Sequence, residues 1–277
     1  MILTNDELTA WSRYIHEICG VHLDESKGYL VETRLGGLLR DIGAGTWTEL
    51  LQKVKVETFG SLRTKVINAI TTNETSFFRD TSPFELLRNK LFPELIDRRN
   101  RAGIKPVPIR ILSAACSTGQ EIYTTAMVLK ELLGAFGGYD IRILGIDISD
   151  AVIAQASYGH YTRLELDRGL SADKLARHFE PAGERWKIRD ELRALATFRK
   201  ANLLVPLAAP APFDIIFCRN VAIYFTESDK IRLFRNLGRT LDRDGALIIG
   251  ATESITGLCP EFKPQRYLRA VYYRRKT

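Results

Sequence analysis

The fold is decided by the segment Ile109-Arg110-Ile111-Leu112-Ser113-Ala114-Ala115-Cys116-Ser117-Thr118-Gly119-Gln120-Glu121. Its first five residues are a short, mostly apolar run typical of a buried strand, and residues 120–133 have the periodicity of a helix. The small residues between them let the backbone approach a ligand closely. Open α/β sheets bind ligands at the C-terminal ends of their strands. This segment therefore predicts both a parallel sheet and the position of its ligand site.

The same alternation of strand and helix continues along the rest of the chain. Apolar runs predict strands at 141–147, 213–219 and 246–250, and a helix at 228–241 separates the last two. Continuous apolar strands separated by helices indicate a parallel sheet covered on both faces. Residues 267–273 predict one further strand at an antiparallel edge. The predicted fold class is α/β, with a doubly wound, Rossmann-like sheet.

The first hundred residues predict an all-helical domain. Capping boxes at 4–7 and 46–49 and a cap at Ser82 followed by Pro83 indicate helix starts. We expect this N-terminal domain to span residues 1–101 and the α/β domain to span 102–277. Within the second domain, strand-like stretches at 185–189 and 196–199 interrupt the rhythm. They predict a small β insertion over about 157–200.

Composition limits the class of protein but does not choose its partner. The sequence lacks both a long apolar run and a signal peptide, and its four cysteines have no metal-ligand spacing, so we expect a cytoplasmic protein without a metal. The net charge of +7 suits an acidic partner, whether nucleic acid, lipid or protein.

The predicted ligand site has features that disfavour phosphate. Gly119 is the only glycine in the turn after the first strand, and Glu121 brings negative charge to the helix start, where an ammonium group would be favoured. Asp147 ends the second strand, where its carboxylate can accept hydrogen bonds from both ribose hydroxyls. An aspartate there is also a common helix cap, and both interpretations stay open. Together these residues favour S-adenosylmethionine over NAD.

Four segments carry a resemblance to a known family: residues 71–80, 114–121, 202–203 and 213–225. In this order they resemble the chemotaxis receptor methyltransferases, the CheR-type protein-glutamate O-methyltransferases. The resemblance extends over nearly the whole chain. It implies methyl transfer from S-adenosylmethionine to glutamate side-chain carboxylates of chemoreceptors. The products are glutamyl methyl esters, used in chemotactic adaptation, and S-adenosylhomocysteine.

The resemblance also implies roles for individual residues. It places Arg79 and Tyr224 nearest the methyl group, as catalytic residues. A basic helix with Lys27, Arg34 and Arg40 is expected to dock on the acidic cytoplasmic helices of the receptor. The expected cofactor-binding residues are Asn73, Thr75, Arg79, Glu121, Asp147, Asn202, Leu203, Arg219 and Asn220.

The chemistry expected of such an enzyme agrees with the residues present. Glutamate has a reference pKa of about 4.3, so the acceptor is ionised at pH 7 and needs no general base. Accordingly, none of the four histidines lies in the four segments. We expect a monomer that neither binds nucleic acid nor inserts into a membrane. The turn at 180–184 in the β insertion is short, so we expect no tethering of a receptor peptide.

Other functions stay open as alternatives. Amino-methylating enzymes of nucleic acids typically place prolines after the fourth strand to hold a flipped base, and residues 220–224 contain none. A second alternative is a signalling or scaffold module that binds S-adenosylmethionine without activity. A third is a methyltransferase that acts on another acidic protein.

Overall fold

The computed structural model describes residues 2–208 and 212–276. Its N-terminal part packs four helices around one hydrophobic cluster. Trp11 and Trp47 are fully buried in this cluster, and the Trp11 Nε1 donates to the Trp47 carbonyl at 3.1 Å. The four helices are α1 (Asn5–Cys19), α2 (Gly28–Asp41), α3 (Trp47–Val56) and α4 (Ser61–Ile70).

The expected helix caps agree with the structure in part. The Thr4 box is complete, because Thr4 and Glu7 each bind the other's backbone amide. Thr46 accepts from Glu49, but the Glu49 carboxylate turns back to the amide of Gly45. The predicted cap at Ser82 is wrong: α5 (Thr81–Leu86) starts two residues before Pro83, the expected first helical residue, and no side chain caps it.

Two further helices lead into the sheet. A π-helical turn (Leu87–Leu91) joins α5 to α6 (Phe92–Arg101). Phe84 of α5 and Phe92 of α6 belong to the same hydrophobic cluster as Ile109 of the first strand. The division of the chain at residue 101 stays a prediction, since these helices precede it but pack against the sheet.

Within the described residues, the large sheet has seven strands, and five of them are parallel. The strands are β1 (Val107–Ala114), β2 (Tyr139–Asp147), β6 (Ala196–Lys200), β7 (Phe213–Cys218), β8 (Leu241–Ile249), β9 (Phe262–Tyr267) and β10 (Ala270–Arg275). Their order in the sheet is β6-β2-β1-β7-β8-β10-β9. The chain runs from β1 outward to β2 and β6 on one side, then returns beside β1 and continues outward on the other.

The point where strand order reverses lies between β1 and β7. These strands pair in parallel, with Ala114 opposite Cys218, so the segments that follow them leave the sheet side by side. Ligands bind in the crevice at such a switch point. The helices around the sheet are α7 (Gln120–Leu133), α8 (Asp150–Tyr158) and α12 (Glu227–Thr240). The predicted doubly wound α/β fold is confirmed.

The predicted β insertion is also confirmed as part of this fold, with one correction. It contains three short antiparallel strands in the order β3-β5-β4 and the short helices between them. Residues 196–199, predicted within the insertion, instead lie in β6, which pairs with β2 at the sheet edge. The other elements are β3 (His160–Tyr161), α9 (Arg163–Asp167), α10 (Ala172–His178), β4 (Phe179–Ala182), β5 (Arg185–Ile188) and α11 (Asp190–Arg193).

The predicted single strand at 267–273 is wrong. These residues cross a tight turn between β9 and β10, in which Leu268 has a φ of +50°. The edge of the sheet is β9, while β10 pairs with both β8 and β9. Residues with strand propensity lie on both sides of a two-residue turn, so the sequence pattern predicted one continuous strand.

Gly37 in the interior of α2 allows a prediction about stability. An added Cβ would meet nothing within 4 Å, and glycine in a helix interior is less favourable than alanine by about 1 kcal/mol. We expect Gly37→Ala to raise the free energy of unfolding by about 0.5–1 kcal/mol, measured by urea denaturation. Gly20→Ala is the contrasting variant, because Gly20 has a φ of +77° and its Cβ would lie 2.4 Å from Leu204. No gain in Gly37→Ala would contradict this account.

Candidate active site

A cavity of about 240 Å³ opens at the switch point of the sheet. One water needs only about 15 Å³, so this space suits a small-molecule ligand. Residues from both the helical part and the α/β part form its walls. Every predicted cofactor-binding or catalytic residue lines it, namely Asn73, Thr75, Arg79, Glu121, Asp147, Asn202, Leu203, Arg219, Asn220 and Tyr224.

The loop after β1 has an unusual backbone. Ala115 and Ser117 have φ values of +61° and +49°, a region that L-residues avoid at about 1–2 kcal/mol per residue. Gly119 has a φ of +94°, and an added Cβ would lie 3.0 Å from Ala156. The Ser117 hydroxyl donates to the Asn73 carbonyl at 2.8 Å. The loop is thus bent towards the segment from the helical part and encloses the cavity.

Asp147 is a buried carboxylate in the cavity wall. Its two oxygens accept from the backbone amides of Ser117 and Ser149, each at 3.0 Å. Burial raises the pKa of Asp147, and these hydrogen bonds oppose that shift. The cap of α8 is Ser149, whose hydroxyl accepts from Val152. The helix-cap interpretation of Asp147 is therefore wrong, and the remaining lone pairs of its carboxylate are available for hydroxyl donors.

Arg219 joins the start of α7 to the segment that precedes α5. Its side chain is 3% exposed. One terminal nitrogen donates to Glu121 at 2.9 Å, and the other donates to Asp80 at 2.8 Å and to the Arg79 carbonyl at 2.7 Å. The other Glu121 oxygen accepts from the Ser113 hydroxyl at 2.7 Å. One guanidinium between two carboxylates leaves a net charge of −1, which suits a cationic ligand group.

Arg79 extends from a strained segment. Phe78 and Asp80, on either side of it, have φ values of +52° and +56°. The Phe78 amide donates to the Thr124 hydroxyl at 3.2 Å, which ties the segment to α7. The Arg79 guanidinium is half-buried and donates to the Glu74 carbonyl at 2.8 Å. Most of its N–H groups remain available to an anionic group in the cavity.

Tyr224 lies where the two parts of the protein meet. It ends a 3₁₀ turn (Ala222–Tyr224), and its carbonyl accepts from the His22 amide at 2.8 Å. Nearby, Gly20 packs against Leu204 and Phe225. Among the described residues, none hydrogen-bonds to the Tyr224 hydroxyl. The helical part thus closes one wall of the cavity and holds the backbone of Tyr224.

The three predicted docking residues differ in their surroundings. Lys27 and Arg34 line the cavity, whereas Arg40 is exposed away from it. Arg34 donates to the Ile70 carbonyl at 2.6 Å and to the Thr72 hydroxyl at 3.0 Å. It therefore anchors the segment that leads into the cavity, a task that the sequence did not indicate.

Several residues of the site were missed from the sequence. Ser113, Ser117 and Asp80 orient Glu121, Asp147 and Arg219 through the hydrogen bonds given above. The hydroxyl residues of the small-residue loop were a visible signal. The Asp80 carboxylate pairs with Arg219, which lies far from it in the chain, so no local pattern indicated this contact.

The cysteines of the site add little further chemistry. Cys116 and Cys218 are buried, and burial raises the pKa of each thiol well above its ordinary value, which agrees with a packing role. Within residues 2–208 and 212–276, no group of histidine, cysteine and acidic side chains is arranged to hold a metal ion. In the same residues, no helix is long and apolar enough to cross a membrane.

Comparison with known proteins identifies the class and then the family. Residues 73–268 match the family model described as "CheR methyltransferase, SAM binding domain", and residues 6–71 match "CheR methyltransferase, all-alpha domain". The fold and the site therefore define a methyltransferase that uses S-adenosylmethionine. The chain belongs to the CheR methyltransferase family.

Three similar proteins are chemotaxis protein methyltransferases. Chemotaxis protein methyltransferase Cher2 of Pseudomonas putida is 38% identical, over 95% of this chain and 95% of that protein. A chemotaxis protein methyltransferase of Vibrio parahaemolyticus is 37% identical, over 99% and 98%. Chemotaxis protein methyltransferase 1 of Pseudomonas aeruginosa is 36% identical, over all of both chains. The expected function, methylation with S-adenosylmethionine in chemotaxis, is confirmed.

Proposed function

We propose that the protein transfers methyl groups to glutamate side chains on the cytoplasmic helices of chemoreceptors. The products are glutamyl methyl esters and S-adenosylhomocysteine. The observation that carries this proposal is the convergence of two kinds of group on one cavity. Glu121 and Asp147 can receive a cation and hydroxyl donors, while Arg79 and Tyr224 offer free donors to an anion.

The chain's residues fit the cofactor. When bound, S-adenosylmethionine supplies an electrophilic methyl group on a positively charged sulfur. Glu121, in its net negative cluster, would bind the amino group, and Asp147 would accept from the ribose hydroxyls. The adenine would lie beside Asn202 and Leu203. The Asn202 side chain is held in place, because its oxygen accepts a hydrogen bond from the Leu204 amide at 2.9 Å. Asn73, Thr75, Arg219 and Asn220 would form the rest of the wall.

The acceptor carboxylate needs orientation more than activation. It is already ionised at neutral pH, because glutamate has a pKa of about 4.3. The Tyr224 hydroxyl would donate one hydrogen bond to it, and the Arg79 guanidinium would attract it into the cavity. A bound cofactor and acceptor would displace water from the cavity, which would strengthen both interactions. Alignment of the two reacting groups would contribute to the rate enhancement.

Receptor docking would depend on basic side chains of the helical part. A net charge of +7 and the basic side chains Lys27 and Arg40 suit an acidic helical surface. Arg34 would contribute mainly by holding residues 70–72 in place. We propose that the protein acts as a monomer in the cytoplasm, without nucleic acid and without insertion into the membrane.

The decisive experiment follows the methyl group. The protein is incubated with S-adenosylmethionine labelled with tritium in the methyl group and with cytoplasmic receptor fragments, and the product is then treated with mild alkali. Label that transfers and is released as volatile methanol supports a carboxyl methyl ester. Alkali-stable label would mean a different acceptor group. Tight cofactor binding without transfer to any receptor would favour a scaffold module.

Tyr224→Phe tests the expected role of the hydroxyl. A hydrogen bond to a charged group contributes about 1.5–3 kcal/mol, so kcat should fall about ten- to a hundredfold. Cofactor affinity, measured by calorimetry, should stay within about threefold, because the hydroxyl would contact the acceptor carboxylate and not the cofactor. Tyr158→Phe is a matched control, since Tyr158 is exposed and lies outside the cavity lining. Unchanged turnover in Tyr224→Phe would remove this residue from the mechanism.

A further inference from the structure

We propose that Glu253, which does not line the cavity, is a positioning residue that holds Tyr224 in place through Asn220. This inference deepens the proposed function and rests on it. Glu253 lies in the connection between β8 and β9, outside all four segments that carry the family resemblance.

The Glu253 carboxylate bridges the ends of two neighbouring strands. One of its oxygens, Oε2, accepts from the backbone amides of Asn220 and Gly250, both at 2.8 Å. These two residues follow β7 and β8, which pair in parallel with Cys218 opposite Ile249. The second oxygen, Oε1, is buried without a hydrogen-bond partner in the described part of the chain. A single oxygen thus joins the two chain segments where they leave the sheet.

Gly250 leaves room for the Glu253 carboxylate. A Cβ added to Gly250 would lie 2.5 Å from the Glu253 Oε2 and 3.1 Å from the Asn220 amide nitrogen. Only glycine lets the carboxylate reach both amides. Asn220 has a φ of +56°, a conformation that asparagine tolerates but does not require. The Glu253 hydrogen bond is a contact that favours this conformation.

The position of Tyr224 depends on that conformation. Asn220 is the last residue before the turn in which Tyr224 donates its amide to the Val221 carbonyl at 3.1 Å. Both Asn220 and Tyr224 line the cavity, so a rotation at Asn220 would shift the turn against the His22 amide that holds the Tyr224 carbonyl. Displacing a reacting or orienting group by about 1 Å can lower a rate by about a hundredfold. Glu253 therefore controls turnover without touching a substrate.

Three substitutions at Glu253 distinguish the effect of side-chain length from the effect of charge. Glu253→Gln keeps the length and one acceptor oxygen, and we expect at least about a third of wild-type kcat. Glu253→Asp keeps the charge but is one methylene short, and Glu253→Ala removes both; each should lower kcat about ten- to a hundredfold. Cofactor affinity should fall less than kcat in all three, because Glu121 and Asp147 keep their contacts although Asn220, a residue of the cavity wall, moves. Thr252→Ala, at an exposed neighbour, is the matched control.

A double-mutant cycle identifies the residue through which Glu253 acts. In a Tyr224→Phe background, Glu253→Ala should cost less than about threefold further, because residues that act as a unit are not additive. Additive losses, or equal losses in Glu253→Gln and Glu253→Ala, would overturn the proposal. So would losses that follow the lowered thermal stability of the variants and vanish at a lower assay temperature.

One further readout is independent of activity. In ¹H–¹⁵N spectra of the full chain, the amide signals of Asn220 and Gly250 should move strongly in Glu253→Ala and much less in Glu253→Gln. If wild-type protein transfers no methyl group to receptors, the proposed function fails, while these spectra still decide whether Glu253 holds the turn. Unmoved amide signals in Glu253→Ala would overturn the positioning role by themselves.

Discussion

Replacing Arg219 with methionine is expected to lower the free energy of unfolding by about 3 kcal/mol, because it breaks a buried ion pair by removing one partner. The Arg219 guanidinium is 3% exposed, and the Glu121 side chain beside it is 14% exposed. Without the guanidinium, Glu121 keeps a charge that solvent reaches poorly. Asp80 is 43% exposed, so its carboxylate can be hydrated and contributes less to the loss.

The same substitution should affect the site as well as the fold. Arg219 also donates to the Arg79 carbonyl, so the strained segment at 78–80 loses an anchor and cofactor affinity should fall. Guanidinium chloride denaturation measures the stability, and calorimetry measures the affinity. Arg79→Met is the matched control: the Arg79 side chain is half-buried and makes a single hydrogen bond within the described residues, so its loss should change stability by less than about 1 kcal/mol. Equal stability of the two variants would contradict the assignment of Arg219.

Replacing Asp147 with alanine is expected to weaken the binding of S-adenosylmethionine about a hundredfold. Hydrogen bonds to a charged group contribute about 1.5–3 kcal/mol, and the carboxylate is expected to accept from two ribose hydroxyls. The variant also frees the Ser117 and Ser149 amides that now position the loop. Calorimetry gives the dissociation constant directly.

Asp150→Ala is the matched control for Asp147. Asp150 is exposed, lies three residues away and binds Asn68 and Lys200 rather than the cavity. Its loss should leave cofactor affinity within about threefold, as expected for a surface interaction. An Asp147→Ala variant that binds the cofactor as tightly as Asp150→Ala would exclude Asp147 from the ribose site.

The pH dependence of binding should reflect the same carboxylate. Burial raises the pKa of Asp147. Its ionised form accepts the hydroxyl donors, so affinity is full above that raised pKa and is lost as the pH falls through it. The loss should therefore begin at a higher pH than an ordinary aspartate would give, and Asp147→Ala should abolish this component of the titration.

The sequence predicted those features that depend on neighbouring residues. The apolar run and helix around 109–133 predict a strand, a tight turn and a helix wherever they occur, because hydrophobic periodicity is a local property. Glu121 and Asp147 follow from their positions at a helix start and a strand end. The predictions failed where strand pairing determines the structure. The place of strand 196–200 in the large sheet and the hairpin around Leu268 depend on contacts with other strands.

By itself, the sequence determined that this protein has a parallel α/β sheet, a helical N-terminal part and a ligand site suited to an adenosyl group. Only the tertiary structure decided how the site is held together. It brings Arg219 within hydrogen-bond distance of Glu121 and Asp80. It also places the His22 amide at the Tyr224 carbonyl and the Glu253 carboxylate at the Asn220 amide. These contacts join residues far apart in the chain, and no local pattern specifies them. Their geometry depends on strand order and on backbone conformations such as the positive φ of Ser117 and Asn220.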